Sequence, residues 1–178
     1  MSDRISSQDK FIKDITASSR NTRLNVGKEN IKLAALVTEV WETLQHAPEA
    51  EHIHFQVEIP EDMQVLSDRN RLTVILSNLI ANAIRYHDHS KEDRYIRLRI
   101  LTKGYGFYLK VEDNGQGISP EYHQKVFDMF YRANEQSKGS GLGLYIVKET
   151  LEKLSGSIHL ESAPGVGSTF TVRLPYNS

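Results

Sequence analysis

Apolar residues recur along this chain with two different periods, and the switches between them mark its elements. Phe11, Ile12 and Ile15 fall at helical spacing inside a polar stretch that Ser18-Ser19-Arg20-Asn21-Thr22 then breaks. This predicts a short amphipathic helix and a linker ending at Gly27. Ile31 and Leu33 read as a short strand. Leu33, Leu36, Val37, Val40, Trp41 and Leu44 then repeat every three or four residues, an amphipathic helix that stops before Pro48. Ile53, Phe55, Val57 and Ile59 alternate strictly, as in a half-buried strand, and Val65-Leu66 marks another. Ser67 or Asp68 can cap a long helix carrying Leu72, Ile75, Leu76, Leu79, Ala83 and Ile84 on one face.

A charged, histidine-containing loop follows at 87–93. Ile96, Leu98 and Ile100 alternate, Gly104-Tyr105-Gly106 turns, and Phe107, Leu109 and Val111 alternate back, which predicts a hairpin. Ser119-Pro120-Glu121 opens a helix leading into Val126, Phe127 and Phe130. Gly143 to Leu154 is helical, with Ile146, Val147, Thr150, Leu151 and Leu154 inward. Two strands, Ser157–Glu161 and Ser168–Leu174, close the pattern around Ala163-Pro164-Gly165-Val166-Gly167. Hairpins with helices between them predict an α+β fold, a two-layer sandwich with a mixed, largely antiparallel sheet covered on one face by three helices.

Composition removes several classes. The 178 residues form one domain, 29–178, preceded by the 1–28 segment. Lys plus Arg number 22 against 23 Asp plus Glu, a net charge of -1, so no basic field recruits nucleic acid or an anionic membrane. Cysteine is absent, which excludes disulfides, thiolate zinc sites and cysteine nucleophiles. Leu33-Ala34-Ala35-Leu36-Val37 is far too short to span a bilayer and no signal peptide opens the chain, so the cytosol is the expected compartment.

Three segments carry candidate chemistry. Nine of the 11 glycines fall in Gly-x-Gly clusters. Gly139-Ser140-Gly141-Leu142-Gly143-Leu144 opens a helix, where bare N–H groups and the positive dipole end suit a phosphate. No Walker A sequence, dinucleotide fingerprint or His-Arg-Asp motif is present. Asn78 and Asn82 lie four apart on one helical face with Arg85 following, so two carboxamide oxygens and a guanidinium can hold a hydrated divalent cation and its phosphates. Capping or bridging of neighbouring backbone is the plainer use of the same asparagines. Asp113-Asn114-Gly115-Gln116-Gly117-Ile118 ends an alternating strand; its aspartate can accept a hydrogen bond from a buried amine, or simply form a turn.

In this order, Asn78–Tyr86, Asp113–Ile118, Phe127-Asp128-Met129-Phe130-Tyr131-Arg132 and Gly139–Leu144 closely resemble the N, first glycine, F and second glycine boxes of the catalytic and ATP-binding domain of bacterial sensor histidine kinases. Gly165-Val166-Gly167-Ser168-Thr169-Phe170 is similar to that family's last glycine segment. The resemblance implies the Bergerat ATP-binding fold with ATP and Mg²⁺ as cofactors. It implies that Asp113 receives the adenine amino group, with Gly115 and Gly117 giving the purine a flat backbone floor and Ile118 and Tyr86 forming its walls. Asn82, helped by Asn78, would hold Mg²⁺, and Arg85 would neutralise phosphate oxygens. Residues 131–140 would form an ATP lid, from which Arg132 and Lys138 reach the γ-phosphate. Phe127 and Phe130 would anchor that lid, Phe130 being counted among the residues bordering the nucleotide. Gly139, Gly141, Leu142 and Gly143 would cradle the phosphates, and Thr169 would lie near the adenine.

Hydrolytic cousins on this superfold carry a glutamate where this chain has Asn78, so the resemblance favours phosphoryl transfer to histidine over hydrolysis. None of His46, His52, His54, His87, His89, His123 or His159 lies in a phosphoacceptor-like segment. The pairs His52/His54 and His87/His89 read as exposed polar positions. Residues 1–28 resemble the end of the dimerisation domain's second helix and a linker, so the chain reads as a piece of a larger, homodimeric kinase whose parent is free to be membrane-anchored. Its implied partners are the dimerisation and phosphoacceptor domain and a response-regulator receiver domain. The alternatives are an anti-sigma-type serine kinase of the same fold and a non-catalytic ATP-binding or docking module.

Overall fold

Strict alternation in the strands builds a sheet with one apolar and one polar face. In the computed structural model, which describes residues 27–132 and 140–178, five strands lie in the order β2-β4-β5-β7-β6. They are β2 (Ile53–Glu58), β4 (Arg94–Lys103), β5 (Gly106–Asp113), β6 (Ser157–Ala163) and β7 (Gly167–Pro175). The β2–β4 pair is parallel and the others are antiparallel, so the sheet is mixed as expected. β1 (Glu29–Lys32) and β3 (Gln64–Ser67) form a separate antiparallel pair. The expected 1–28 segment lies almost wholly outside the described residues.

Ile96, Leu98 and Ile100 of β4, Phe107, Leu109 and Val111 of β5, and Phe170, Val172 and Leu174 of β7 are buried on one face. Three helices cover them: α1 (Leu33–Leu44), α2 (Arg69–Arg85) and α3 (Gly143–Lys153). Each lays down an apolar stripe, α2 through Leu72, Ile75, Leu76, Leu79, Ile80, Ala83 and Ile84. Full burial of each such side chain stabilises the fold by about 1.5–3 kcal/mol. Trp41 of α1 stacks on Phe55 of β2 at 4.2 Å between ring centroids, closing the layer at the parallel edge. On the other face Arg97 and Arg99 bracket Glu112, and the Arg97 guanidinium lies over the Tyr95 ring.

Asp68 starts α2. Its side chain accepts from the Arg71 backbone N–H at 3.0 Å and from the Gly27 N–H at 3.0 Å, and it pairs with the buried Arg71 guanidinium. Burial opposes its charge, but these hydrogen bonds prevail and hold the carboxyl below the ordinary carboxylate range.

Two expectations change. Leu33 begins α1 rather than continuing β1. The helix expected after Ser119 is instead a pair of 3₁₀ turns, Pro120–Tyr122 and Lys125–Phe127. Asp128 is extended and Phe130 adopts φ 64°, a conformation no α-helix contains. The Phe130 N–H is bonded to the Gly141 carbonyl at 3.1 Å, so a long-range pairing overrides the local helical spacing.

Candidate nucleotide-binding site

The three candidate segments converge at the ends of α2 and β5 and the start of α3. Asn78 donates from Nδ2 to the Val74 carbonyl at 2.8 Å, which fixes its amide and turns Oδ1 away from its own helix. A Cβ placed on Gly143 would lie 2.9 Å from Asn78 Oδ1 and 3.9 Å from Asn82 Oδ1. The first residue of α3 thus sits directly on the two carboxamides, and glycine is required for that approach. Arg85 reaches Asn82 Oδ1 at 3.5 Å. Among the described residues no side chain caps α3; its first amides remain available beside this oxygen pair. Carboxamide oxygens are hard donors, few in number and beside open helix amides, a donor set that suits a Mg²⁺ which keeps most of its waters and takes phosphate oxygens as further ligands.

At the other end, Asp113 closes β5. Its Oδ1 accepts from the Gly115 N–H at 2.8 Å. Burial pushes its carboxyl up to about 6, against the opposing pull of the Gly115 and Ser168 amides and of Lys91; Glu112 adds a further push upward. A carboxylate whose charge is this costly to the free protein is a candidate ligand group rather than a fold-stabilising one. Gly115 is forced: a Cβ would meet the Tyr86 carbonyl oxygen at 2.4 Å. So is Gly117, at φ 72° with a Cβ position 1.9 Å from the Ala163 carbonyl oxygen. Tyr86 ends α2 and its carbonyl accepts from the Gln116 N–H at 2.9 Å, while Ile118 donates to Ser162 Oγ at 2.8 Å. Both residues are partly buried beside the glycine pair.

Thr169 requires a correction. It stands opposite Glu112 and Glu161, on the polar outer face of the sheet. Ser168 is the residue paired with Asp113, and its hydroxyl meets Ser162 Oγ at 3.0 Å. The parity of Phe170, Val172 and Leu174 carried the signal that could have found it: Ser168 shares their face, and Asp113 shares that of Val111. Phe127 packs edge-on against Phe170 at 6.4 Å, whereas the Phe130 side chain is 55% exposed. Gly141 (φ 70°) meets this turn through its backbone, and Leu142 is buried at the α3 start. Arg132 is exposed and is the last described residue before 133–139; Lys138 and Gly139 lie outside the described residues.

The histidine pairs divide. His52 and His54 are exposed, as expected. His87 is not: it is buried, with Nδ1 2.6 Å from the Ile84 carbonyl and Nε2 3.2 Å from His89 Nδ1. Among the described residues no group of three or more His, Asp or Glu side chains is arranged to hold a metal.

A carboxamide pair late in one helix and packed against the start of another, an acidic strand end and glycine-rich turns define an ATP-binding domain of the Bergerat type. Residues 67–178 match the family of histidine kinase-, DNA gyrase B- and HSP90-like ATPases, and the chain belongs to it. The sensor-like histidine kinase SenX3 of Mycobacterium tuberculosis is 33% identical over 150 residues, which are 82% of this chain and 36% of SenX3. The sensor histidine kinase WalK of Bacillus subtilis is 35% identical over 133 residues, 71% of this chain and 21% of WalK. The mycobacterial sensor histidine kinase MprB superposes with a TM-score of 0.72 at 25% identity, covering 84% of this chain and 97% of that structure. The chain spans about a third or less of these curated relatives. They agree with the histidine-kinase resemblance rather than the serine-kinase alternative. No helix among the described residues is long and apolar enough to cross a membrane.

Proposed function

We propose that this chain holds Mg-ATP and presents its γ-phosphoryl group to a histidine on a helical dimerisation domain, within a two-component signalling protein. The observation that carries this reading is the carboxamide of Asn78 against Gly143. A carboxylate there could take a proton from water and turn the site to hydrolysis; a carboxamide cannot near neutral pH. The site then orients the nucleotide and neutralises charge, and the nucleophile arrives from another domain.

Bound Mg-ATP supplies the transferable phosphoryl group. Asp113 would accept from the adenine amine, with Ser168 beside it and the Gly115–Gly117 backbone beneath the ring. Asn82, braced by Asn78, would hold the cation, Arg85 would face the phosphates, and the open amides of α3 would complete their cradle. Arg132 and Lys138 would approach the γ-phosphate from the lid. The partners that follow are a dimerisation and phosphoacceptor domain in a homodimeric parent and a receiver-domain aspartate.

The test supplies a sensor-kinase phosphoacceptor domain in trans with γ-labelled ATP, after calorimetric titration of the chain with ATP in the presence and absence of Mg²⁺. Binding that Mg²⁺ tightens, and acid-labile phosphohistidine on the acceptor, support the reading. Acid-stable phosphoserine, or steady phosphate release with no acceptor present, would overturn it.

A further inference from the structure

The 87–93 loop enters the sequence reading only as a charged connection, yet it carries a residue that touches both loops framing Asp113. The Lys91 ammonium donates to the carbonyls of Asn114 at 2.6 Å, Gly165 at 2.7 Å and Val166 at 3.3 Å. Three donors meet three main-chain acceptors, and those acceptors come from two different segments. Asn114 directly follows Asp113. Gly165 and Val166 form the β6–β7 turn that leads into Gly167, where a Cβ would stand 2.0 Å from the Asp113 carbonyl oxygen.

We propose that Lys91 is a positioning residue of the nucleotide site, pinning the Asp113–Gly117 loop to the β6–β7 turn so that the Asp113 carboxylate and the glycine floor keep the spacing an adenine ring requires. This inference rests on the nucleotide reading above. Neutral bonds lace the same segments: Tyr95 N–H to Asn114 Oδ1 at 3.0 Å, Asn114 Nδ2 to the Asp93 carbonyl at 2.6 Å, Gln116 Nε2 to the His87 carbonyl at 3.2 Å, and Gly165 N–H to the Gln116 carbonyl at 2.7 Å. Lys91 adds what they lack, a positive charge. Three carbonyl dipoles pointing their negative ends at one place beside a carboxylate repel one another unless a cation sits among them. Hydrogen bonds to a charged donor are also about twice as strong as neutral ones. The Gly115 and Ser168 amides and the Lys91 ammonium favour the charged Asp113 carboxylate, and Glu112, on the opposite face of the sheet, opposes it. Lys91 is the cation of that set, so its loss acts on Asp113 directly and on the floor through the carbonyls.

The test compares Lys91→Met, which keeps the stem and removes the charge, with Lys91→Arg, which keeps the charge, and with Lys103→Met at the exposed end of β4 as a control. ATP affinity is measured by calorimetry, and the Asp113 carboxyl is titrated by ¹³C NMR in the nucleotide-free protein. Lys91→Met should weaken ATP by roughly ten- to 100-fold and move the Asp113 midpoint upward. Lys91→Arg should recover part of both, and Lys103→Met should match wild type. Unchanged amide shifts along β4 and β5 show that the variant folds. Wild-type affinity in Lys91→Met, or weakened ATP with an unmoved Asp113 midpoint, overturns the proposal. If wild type itself binds no ATP, the nucleotide reading falls and takes this one with it; if wild type binds and Lys91→Met matches it, Lys91 alone is wrong.

Discussion

Asp113→Asn should make the free protein more stable while it ruins the nucleotide site. In the folded chain burial raises the Asp113 carboxyl from 3.8 to about 6. The folded state therefore binds more protons than the unfolded state between those values. Stability from this group is present below pH 3.8 and is lost as the pH rises through about 6. At about 1.4 kcal/mol per unit, the charged carboxylate costs the fold roughly 3 kcal/mol above that range. Asparagine keeps an oxygen for the Gly115 N–H and carries no charge, but its NH₂ needs partners of its own. A gain of about 1–3 kcal/mol at pH 8 is expected, a rise in Tm of several degrees. Urea unfolding of both proteins between pH 4.5 and 8 checks this, and the gap should close toward the acid end. Calorimetry should show ATP affinity lowered by roughly ten- to 150-fold, the loss of one charge-assisted bond. Wild-type affinity should itself fall as Asp113 protonates below about pH 6. A variant less stable than wild type at pH 8, or a stability gap independent of pH, would refute the argument.

Two further outcomes follow from the same geometry. Gly143→Ala places a methyl 2.9 Å from Asn78 Oδ1; Mg-ATP affinity should drop about ten-fold, by loss of one or more charge-assisted contacts, with unchanged helix content by circular dichroism, and undiminished affinity would remove the carboxamide pair from the site. Asp68→Ala removes both the α2 cap and the carboxylate paired with buried Arg71. It should cost about 3–5 kcal/mol in denaturant unfolding at neutral pH, and less in acid, where the Asp68 carboxyl is itself protonated. A loss below about 1 kcal/mol would show that other contacts already hold Arg71.

The parts of the site that belong to one element were legible in the chain. Asn78 and Asn82 share a helical face because four residues make slightly more than one turn. Ser67 and Asp68 both read as caps because a short acceptor before an apolar stripe meets free amides, and the structure uses Asp68. Alternation alone separated the sheet's buried face from its polar one. The contacts between elements were decided by the fold. Whether Ser168 or Thr169 meets Asp113 is a matter of strand register, in which a shift of one residue reverses the face. Phe130 leaves the helical conformation where its N–H finds the Gly141 carbonyl, a partner that no local spacing can announce. His87 is buried because the end of α2 folds beneath the Gln116 loop. Lys91 is one charge within the 87–93 loop, and only the fold brings three carbonyls to it. Periodicity is written in neighbouring residues; the meeting of distant loops depends on how whole layers pack, and only the assembled molecule contains it.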